Sequence, residues 1–209
     1  MNCKLCNDSR IKESFKIDSK TYHLCSRCGL LFMDPSSYLC LAESKTRYLL
    51  HNNDKADNRY INFLSELAIP CFKFLDGKSN CLDYGCGPTK AMEYIFNEKG
   101  ISMDSYDPVF YPEIRKKKYD LITCNEAIEH FYEPTNDFAK IYELLNRGSV
   151  LGLGSSFLRP GTELTNWYYI KDPTHVSFYS FKTLAYIAQK FNFEILDTPN
   201  DRVVILRKL

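Results

Sequence analysis

Apolar and polar positions divide the chain into stretches of different period. Near the N-terminus, Ser14-Phe15-Lys16-Ile17 and Thr21-Tyr22-His23-Leu24 alternate as strands do and predict a hairpin, and Asp34-Pro35-Ser36-Ser37 then reads as a turn. Residues 39–75 change to helical spacing: Ile61, Phe63, Leu64, Leu67 and Ala68 share one face, and Pro70 is expected to break or kink the pattern. After a polar loop at 76–80, strand and helix patterns alternate. Strands are predicted at 81–84, 101–106, 119–124 and 150–157, helices at 90–97, 138–145 and 181–191, and two closing strands near 193–196 and 203–206. Such alternation predicts an α/β fold with a mostly parallel sheet and helices on both faces. Three units are expected: 1–38, a helical covering segment at 39–75, and an α/β domain at 76–209.

Composition narrows the class. With 44% apolar and 25% charged residues, 209 residues suffice to bury a core, which excludes a disordered or collagen-like chain. The net charge of +1 gives no global argument for nucleic acid or membrane as partner. No apolar run is long enough to span a bilayer, and the start of the chain lacks a signal-peptide core, so a cytoplasmic setting is expected.

Nine cysteines fall unevenly. Cys3-x-x-Cys6 and Cys25-x-x-Cys28 are separated by the stretch from Asn7 to Leu24, and five others are scattered. Two such turns brought together by a hairpin make a tetrahedral four-thiolate site, for which zinc is the expected ion. Four thiolates leave no open coordination position, so the ion is expected to staple the fold. His23 is expected to be an exposed hairpin residue.

A second motif joins a strand to a helix: Leu82-Asp83-Tyr84-Gly85-Cys86-Gly87-Pro88-Thr89. Gly85 and Gly87 permit a sharp turn and close approach to a ligand, and Pro88 suits a first helical turn. Asp107 follows the next strand, at the distance beyond Gly87 where an acid can bind ribose hydroxyls. Thr89 stands where dinucleotide-binding loops carry a third glycine, which favours a cofactor with an amino-acid end and no phosphate, S-adenosylmethionine.

Asp83-x-Gly85-x-Gly87, Asp107 and the stretch from Asp120 to His130 resemble the motifs of class I S-adenosylmethionine-dependent methyltransferases. The resemblance extends to Cys25–Pro35, His51-Asn52-Asn53-Asp54, Arg59-Tyr60 and the segment Trp167–Ser180, which together look like a bacterial group of small methyltransferases with an N-terminal zinc ribbon. It implies a Rossmann-like doubly wound sheet. It also implies that Asp83, Gly85, Cys86 and Gly87 form the methionine end of a cofactor site, that Asp107 holds ribose, and that Asn125 and Glu126 lie beneath the cofactor beside the transferred methyl. One departure stands out. Only positions 108–118 separate Asp107 from Tyr119, too few for a crossover helix and strand, so the usual third strand is expected to be missing and Phe110 or Tyr111 to cover adenine instead. The basic run Arg115–Lys118 is read as a solvated loop.

A base is needed only where the acceptor must lose a proton. The candidates are His175, in a long aromatic loop after the fifth core strand, His130 in Glu126-x-x-Glu129-His130, His51, and Glu126. His175 is expected to be the base or the acceptor-positioning group, oriented by Asp172 or Tyr179. Trp167, Tyr168, Tyr169, Phe178 and Tyr179 are candidates for a substrate floor, and Ser180 for the cap of the next helix. The expected activity is methyl transfer to a small molecule, with the ribbon structural. The alternative is methylation of RNA or protein, with the ribbon's basic residues Lys4, Arg10, Lys12, Lys16, Lys20 and Arg27 docking the partner.

Overall fold

The computed structural model describes residues 1–50 and 56–209. The central sheet has six strands: β4 (Cys81–Tyr84), β5 (Met103–Tyr106), β6 (Tyr119–Asn125), β7 (Leu145–Gly154), β9 (Phe193–Asn200) and β10 (Val203–Lys208). Their order is β5-β4-β6-β7-β10-β9. β5, β4, β6 and β7 run parallel, whereas β10 pairs antiparallel with both β7 and β9, so the sheet is mixed.

Side-chain parity builds the two faces. Cys81, Leu121 and Val150 face one side and pack under α2 (Asn58–Phe72) and α3 (Ala91–Asn97) through Leu64, Leu67, Met92 and Ile95. Their neighbours Leu82, Ile122 and Leu151 face the other side, with Phe138 and Ile141 of α4 (Pro134–Leu144) and Leu184 and Ile187 of α5 (Phe181–Lys190). Gly152 sets the approach of α2, because a Cβ there would lie 2.8 Å from Cys71 Sγ and 3.0 Å from Leu67 Cδ1. Pro70 sits inside α2, which runs on to Phe72, so it does not break the helix. Helix ends follow the local sequence: Asp57 accepts from the Arg59 N–H, Ser180 from the Thr183 N–H, and Pro134 opens α4.

β5 is the edge strand, and residues 108–118 contain no strand. The segment between Asp107 and Tyr119 is too short to return a chain to the sheet, and the third strand is missing as the spacing predicts. Arg115 and Lys117 pair with Asp104 at 3.0 and 2.9 Å, which ties the basic run to the sheet edge.

The N-terminal part is a second sheet: β1 (Ile11–Ile17), β2 (Lys20–Cys25), β3 (Leu31–Met33) and β8 (Ser177–Phe178), in that order. The first three form the predicted hairpin and its extension. The fourth comes from the long loop of the α/β domain and pairs with β3 through Leu31–Phe178 and Phe32–Ser177. The paired cysteines also pack into the same core as α4 and α5. A short helix, α1 (Leu41–Tyr48), follows, and no helix among the described residues is long and apolar enough to cross a membrane.

Candidate active site and cysteine cluster

At the C-terminal ends of β4, β5, β6 and β7 lies a cavity of about 860 Å³, within the range of small-molecule sites and where open α/β sheets bind ligands. Gly85, Cys86 and Gly87 form one wall, with Asp107 and Phe110 beside them, and Asn125 and Glu126 rise from the end of β6. His130 and His175 face the same space. The sequence-derived site residues thus converge, with exceptions. Asp83 does not line the cavity: it is buried beneath the glycine loop, where its carboxylate accepts from Thr123 Oγ1 at 2.9 Å. Tyr111 turns away to donate to the Pro88 carbonyl, which leaves Phe110 on the wall. His23, expected to be exposed, is only partly so and bonds Asp34 and Ser14 in the N-terminal sheet, and His51–Asp54 lie outside the described residues.

The loop has the backbone the motif demands. Gly85 and Gly87 have φ of +91° and +63°, and a Cβ on Gly85 would lie 2.4 Å from that of Ala127. Asp107 caps the loop by accepting from the N–H groups of Gly87, Val109 and Phe110 at 3.1, 2.8 and 3.1 Å. Across the cavity, Asn125 Nδ2 is buried and has no hydrogen-bond partner among the described residues. The amide needs a glycine opposite it, since a Cβ on Gly154 would fall 2.0 Å from Asn125 Oδ1. Glu126 follows in the left-handed region with φ of +48°, a conformation costly for a glutamate and typical of functional turns. It accepts from Arg202 at 2.8 Å.

The long loop is pinned differently from expectation. Tyr179 donates to the Ile128 carbonyl and so does not orient His175. The Asp172 carboxylate accepts from Arg47 and Thr174. The His175 N–H donates to the Asp172 carbonyl at 3.1 Å, and the imidazole Nδ1 lies 2.7 Å from the Tyr169 carbonyl. Of the aromatic floor, Tyr168 and Tyr169 line the cavity, while Phe178 and Tyr179 are core and Trp167 stacks on Tyr169 and Phe178. Alternation could not separate these roles, because the segment is neither helix nor long strand. Sequence reasoning also missed Arg47, Tyr48, Tyr60 and Phe63, which α1 and α2 bring to the cavity, and Glu129 as a lining residue. Of these, Glu129 carried a signal through its place in the Glu-x-x-Glu-His run, and Tyr60 through the Arg59-Tyr60 pair.

Residues 42–198 match the family described as a methyltransferase domain. The chain belongs to that family. It is an S-adenosylmethionine-dependent methyltransferase of class I architecture. No curated protein matches the sequence. Among solved structures, the chain is similar to the 1,6-didemethyltoxoflavin-N1-methyltransferase of Burkholderia thailandensis, with 14% identity, 94% of this chain and 99% of that one covered, and a TM-score of 0.57. An O-methyltransferase family protein of the same species gives 11% identity and a TM-score of 0.56 over 79% of this chain, which spans 62% of that protein's length. A SAM-dependent methyltransferase from Archaeoglobus fulgidus gives 21% identity and 0.52 over 70% of this chain and 74% of that one. At these identities the likeness is one of fold.

The methyltransferase carries its cysteine pairs before the matched region. Cys3, Cys6, Cys25 and Cys28 are all buried, and their sulfurs lie within 4.8 Å of one another. Cys3 and Cys28 Sγ are 3.5 Å apart, Cys6 and Cys25 Sγ 3.4 Å. Sulfurs at ~2.3 Å from a tetrahedral ion stand about 3.8 Å apart, whereas a disulfide brings them to ~2.05 Å. The spacing fits a shared ion.

Three carboxyls around the cavity are held above their usual range. Burial raises Glu126 and Glu129 and pushes Asp83 up to about 7. For Asp83 the consequence has a definite sign. The fold retains a proton that the unfolded chain releases above its ordinary value of 3.8, so cofactor-free protein loses stability as pH rises from about 4 to 7. Urea unfolding across that window is expected to show a shallower slope in Asp83→Asn; an unchanged slope would mean that Asp83 is already ionised in the fold.

Proposed function

We propose that this enzyme methylates a small-molecule acceptor in the cavity at the ends of β4–β7, with the glycine loop, Asp107 and Asn125 holding the cofactor and a zinc-bound N-terminal sheet as scaffold. The observation that carries the reading is the buried Asn125 Nδ2, without a partner among the described residues, in the same cavity as the glycine loop. A buried donor without an acceptor is destabilising unless a ligand supplies one. Gly85 and Gly87 expose the loop's backbone to the cofactor's amino-acid end, and Asp107, at the tip of β5, retains one acceptor position on Oδ2 for a ribose hydroxyl. The sulfonium of S-adenosylmethionine supplies an electrophilic methyl group.

The chain's own groups supply position and proton transfer. Tyr48, Tyr60, Phe63 and Tyr169 wall off the acceptor from water. Glu126, with its affinity for protons raised by burial, is the proton acceptor for an acceptor group that must ionise. His130 and His175 bind and orient the acceptor opposite it. A cavity of about 860 Å³ lined by aromatic rings has the size of a small-molecule site, which favours a small molecule over RNA or a protein. The toxoflavin methyltransferase, which shares the fold over nearly its whole length, was solved with a small acceptor and S-adenosylhomocysteine bound.

Asp107→Ala is expected to weaken S-adenosylhomocysteine binding roughly 10- to 150-fold, the equivalent of ~1.5–3 kcal/mol for a lost hydrogen bond to a charged acceptor. Isothermal calorimetry measures it, and unchanged affinity would place the ribose elsewhere. For the scaffold, elemental analysis is expected to give one zinc per chain, lost in Cys25→Ser together with a severe fall in melting temperature. Metal-free protein that melts like the native preparation would contradict the zinc site.

A further inference from the structure

The cavity floor holds a group of side chains that positioning of a methyl donor does not require. A carboxylate oxygen of Glu129 and one ring nitrogen each from His130 and His175 lie within 4.8 Å of one another. Glu129 Oε1 is 4.0 Å from His130 Nε2, and the two imidazole centroids are 4.8 Å apart at 71°. All three residues line the cavity.

Each imidazole is set by a backbone carbonyl. Nδ1 of His130 lies 3.0 Å from the Thr174 carbonyl oxygen, and Nδ1 of His175 lies 2.7 Å from that of Tyr169. A carbonyl only accepts, so each Nδ1 carries a proton, which makes Nε2 the ring atom able to ligate an ion once the imidazole is neutral. This is the outer-shell arrangement that fixes metal-ligating histidines. Glu129 supplies the independent observation. It is fully buried, its Oε2 accepts from Ser155 at 3.1 Å, and its Oε1 has no hydrogen-bond partner among the described residues. A buried carboxylate oxygen left without a donor is unfavourable, and a cation satisfies it where no protein group does.

We propose that Glu129, His130 and His175 bind one divalent first-row cation at the cavity floor, and that this cation holds and activates a hydroxyl group of the methyl acceptor. The proposal rests on the methyl-transfer reading and narrows it to O-methylation. Two imidazoles and a carboxylate suit a manganese- or iron-class ion and leave coordination positions open for the acceptor. Ligands at ~2.0–2.2 Å from an ion stand about 3.0–3.5 Å apart, so binding draws the cluster together by about 1 Å. Coordination makes the hydroxyl more acidic. Its proton passes to the Glu126 carboxylate. An oxygen lone pair forms the O–CH3 bond as the C–S bond of the sulfonium breaks, and the sulfur keeps that electron pair as a neutral thioether.

The test titrates Mn2+, a hard ion that avoids thiolate sites, into the full chain and follows loss of the free-ion electron paramagnetic resonance signal. Calorimetry of S-adenosylhomocysteine on the same sample accompanies it. One Mn2+ per chain is expected, bound at least tenfold more weakly in Glu129→Gln and in His130→Asn, with S-adenosylhomocysteine affinity preserved in both. Wild-type protein that binds S-adenosylhomocysteine but no Mn2+ overturns the site, and so does Mn2+ binding that both substitutions leave unchanged. Protein that binds Mn2+ with the expected loss in the variants, but no S-adenosylhomocysteine, keeps the cation site and rejects the methyl-transfer reading. Should one variant fail to fold, the other and the wild-type stoichiometry decide.

Discussion

The short turn after β6 depends on being gripped from one side by residues 174–179. The Val176 N–H donates to the Glu129 carbonyl at 2.8 Å, Ser177 Oγ to that of Phe131, and Tyr179 Oη to that of Ile128. His130 in turn bonds the Thr174 carbonyl. A turn carrying a fully buried glutamate and a left-handed Glu126 is not stable by itself. These bonds satisfy its backbone and fix its side chains. The same stretch pairs through Ser177 and Phe178 with β3, and Met33 donates to the Val176 carbonyl. One strip of chain therefore joins the cysteine-bearing sheet to the floor of the cavity.

This arrangement gives the N-terminal sheet a physical role without any contact with the acceptor. Its cysteines pack into the core shared with α4 and α5, and Thr135 of α4 donates to the Leu5 carbonyl at 2.7 Å. A four-thiolate ion there would stiffen β3, β3 would hold β8, and β8 would hold the turn. The opposite wall is built by another principle. α2 approaches closely over Gly152, which brings Tyr60 and Phe63 across the ends of the strands. The cavity is thus rigid on its floor and aromatic on its roof, the combination that keeps buried polar groups positioned in a water-poor space.

Much of the α/β domain was legible in the sequence because its signals are local or arithmetical. Short, mostly apolar runs at Cys81–Tyr84 and Tyr119–Cys124, each followed by a polar or glycine turn, mark strands whatever they pack against, and the stretch between Asp107 and Tyr119 is too short to hold a crossover. The glycine loop and the paired cysteines carry their geometry in their spacing. What stayed hidden depends on distant partners. Ser177-Phe178 is too short to announce itself as a strand and becomes one only beside β3. The helical face of α2 predicts Leu64 and Leu67 in the core, but not that Tyr60 and Phe63 reach a cavity. Asp83 reads as a ligand from the motif and proves to be a buried support, because Thr123 on the adjacent strand takes its carboxylate. Glu129 was visible as a letter in a motif. Its burial, and the lack of a partner for its Oε1 among the described residues, arise only when Ser155 and Tyr169 close over it.

Residues 174–179 couple the cysteine cluster to the cavity floor. Amide hydrogen exchange, with and without a chelator that competes with the four cysteines for an ion, reads that coupling. The account predicts that the amides of Met33 and Val176 lose protection together, and that loss of protection spreads to His130 and Phe131. Loss of protection confined to β1 and β2, with Val176 and the turn as protected as before, would contradict it.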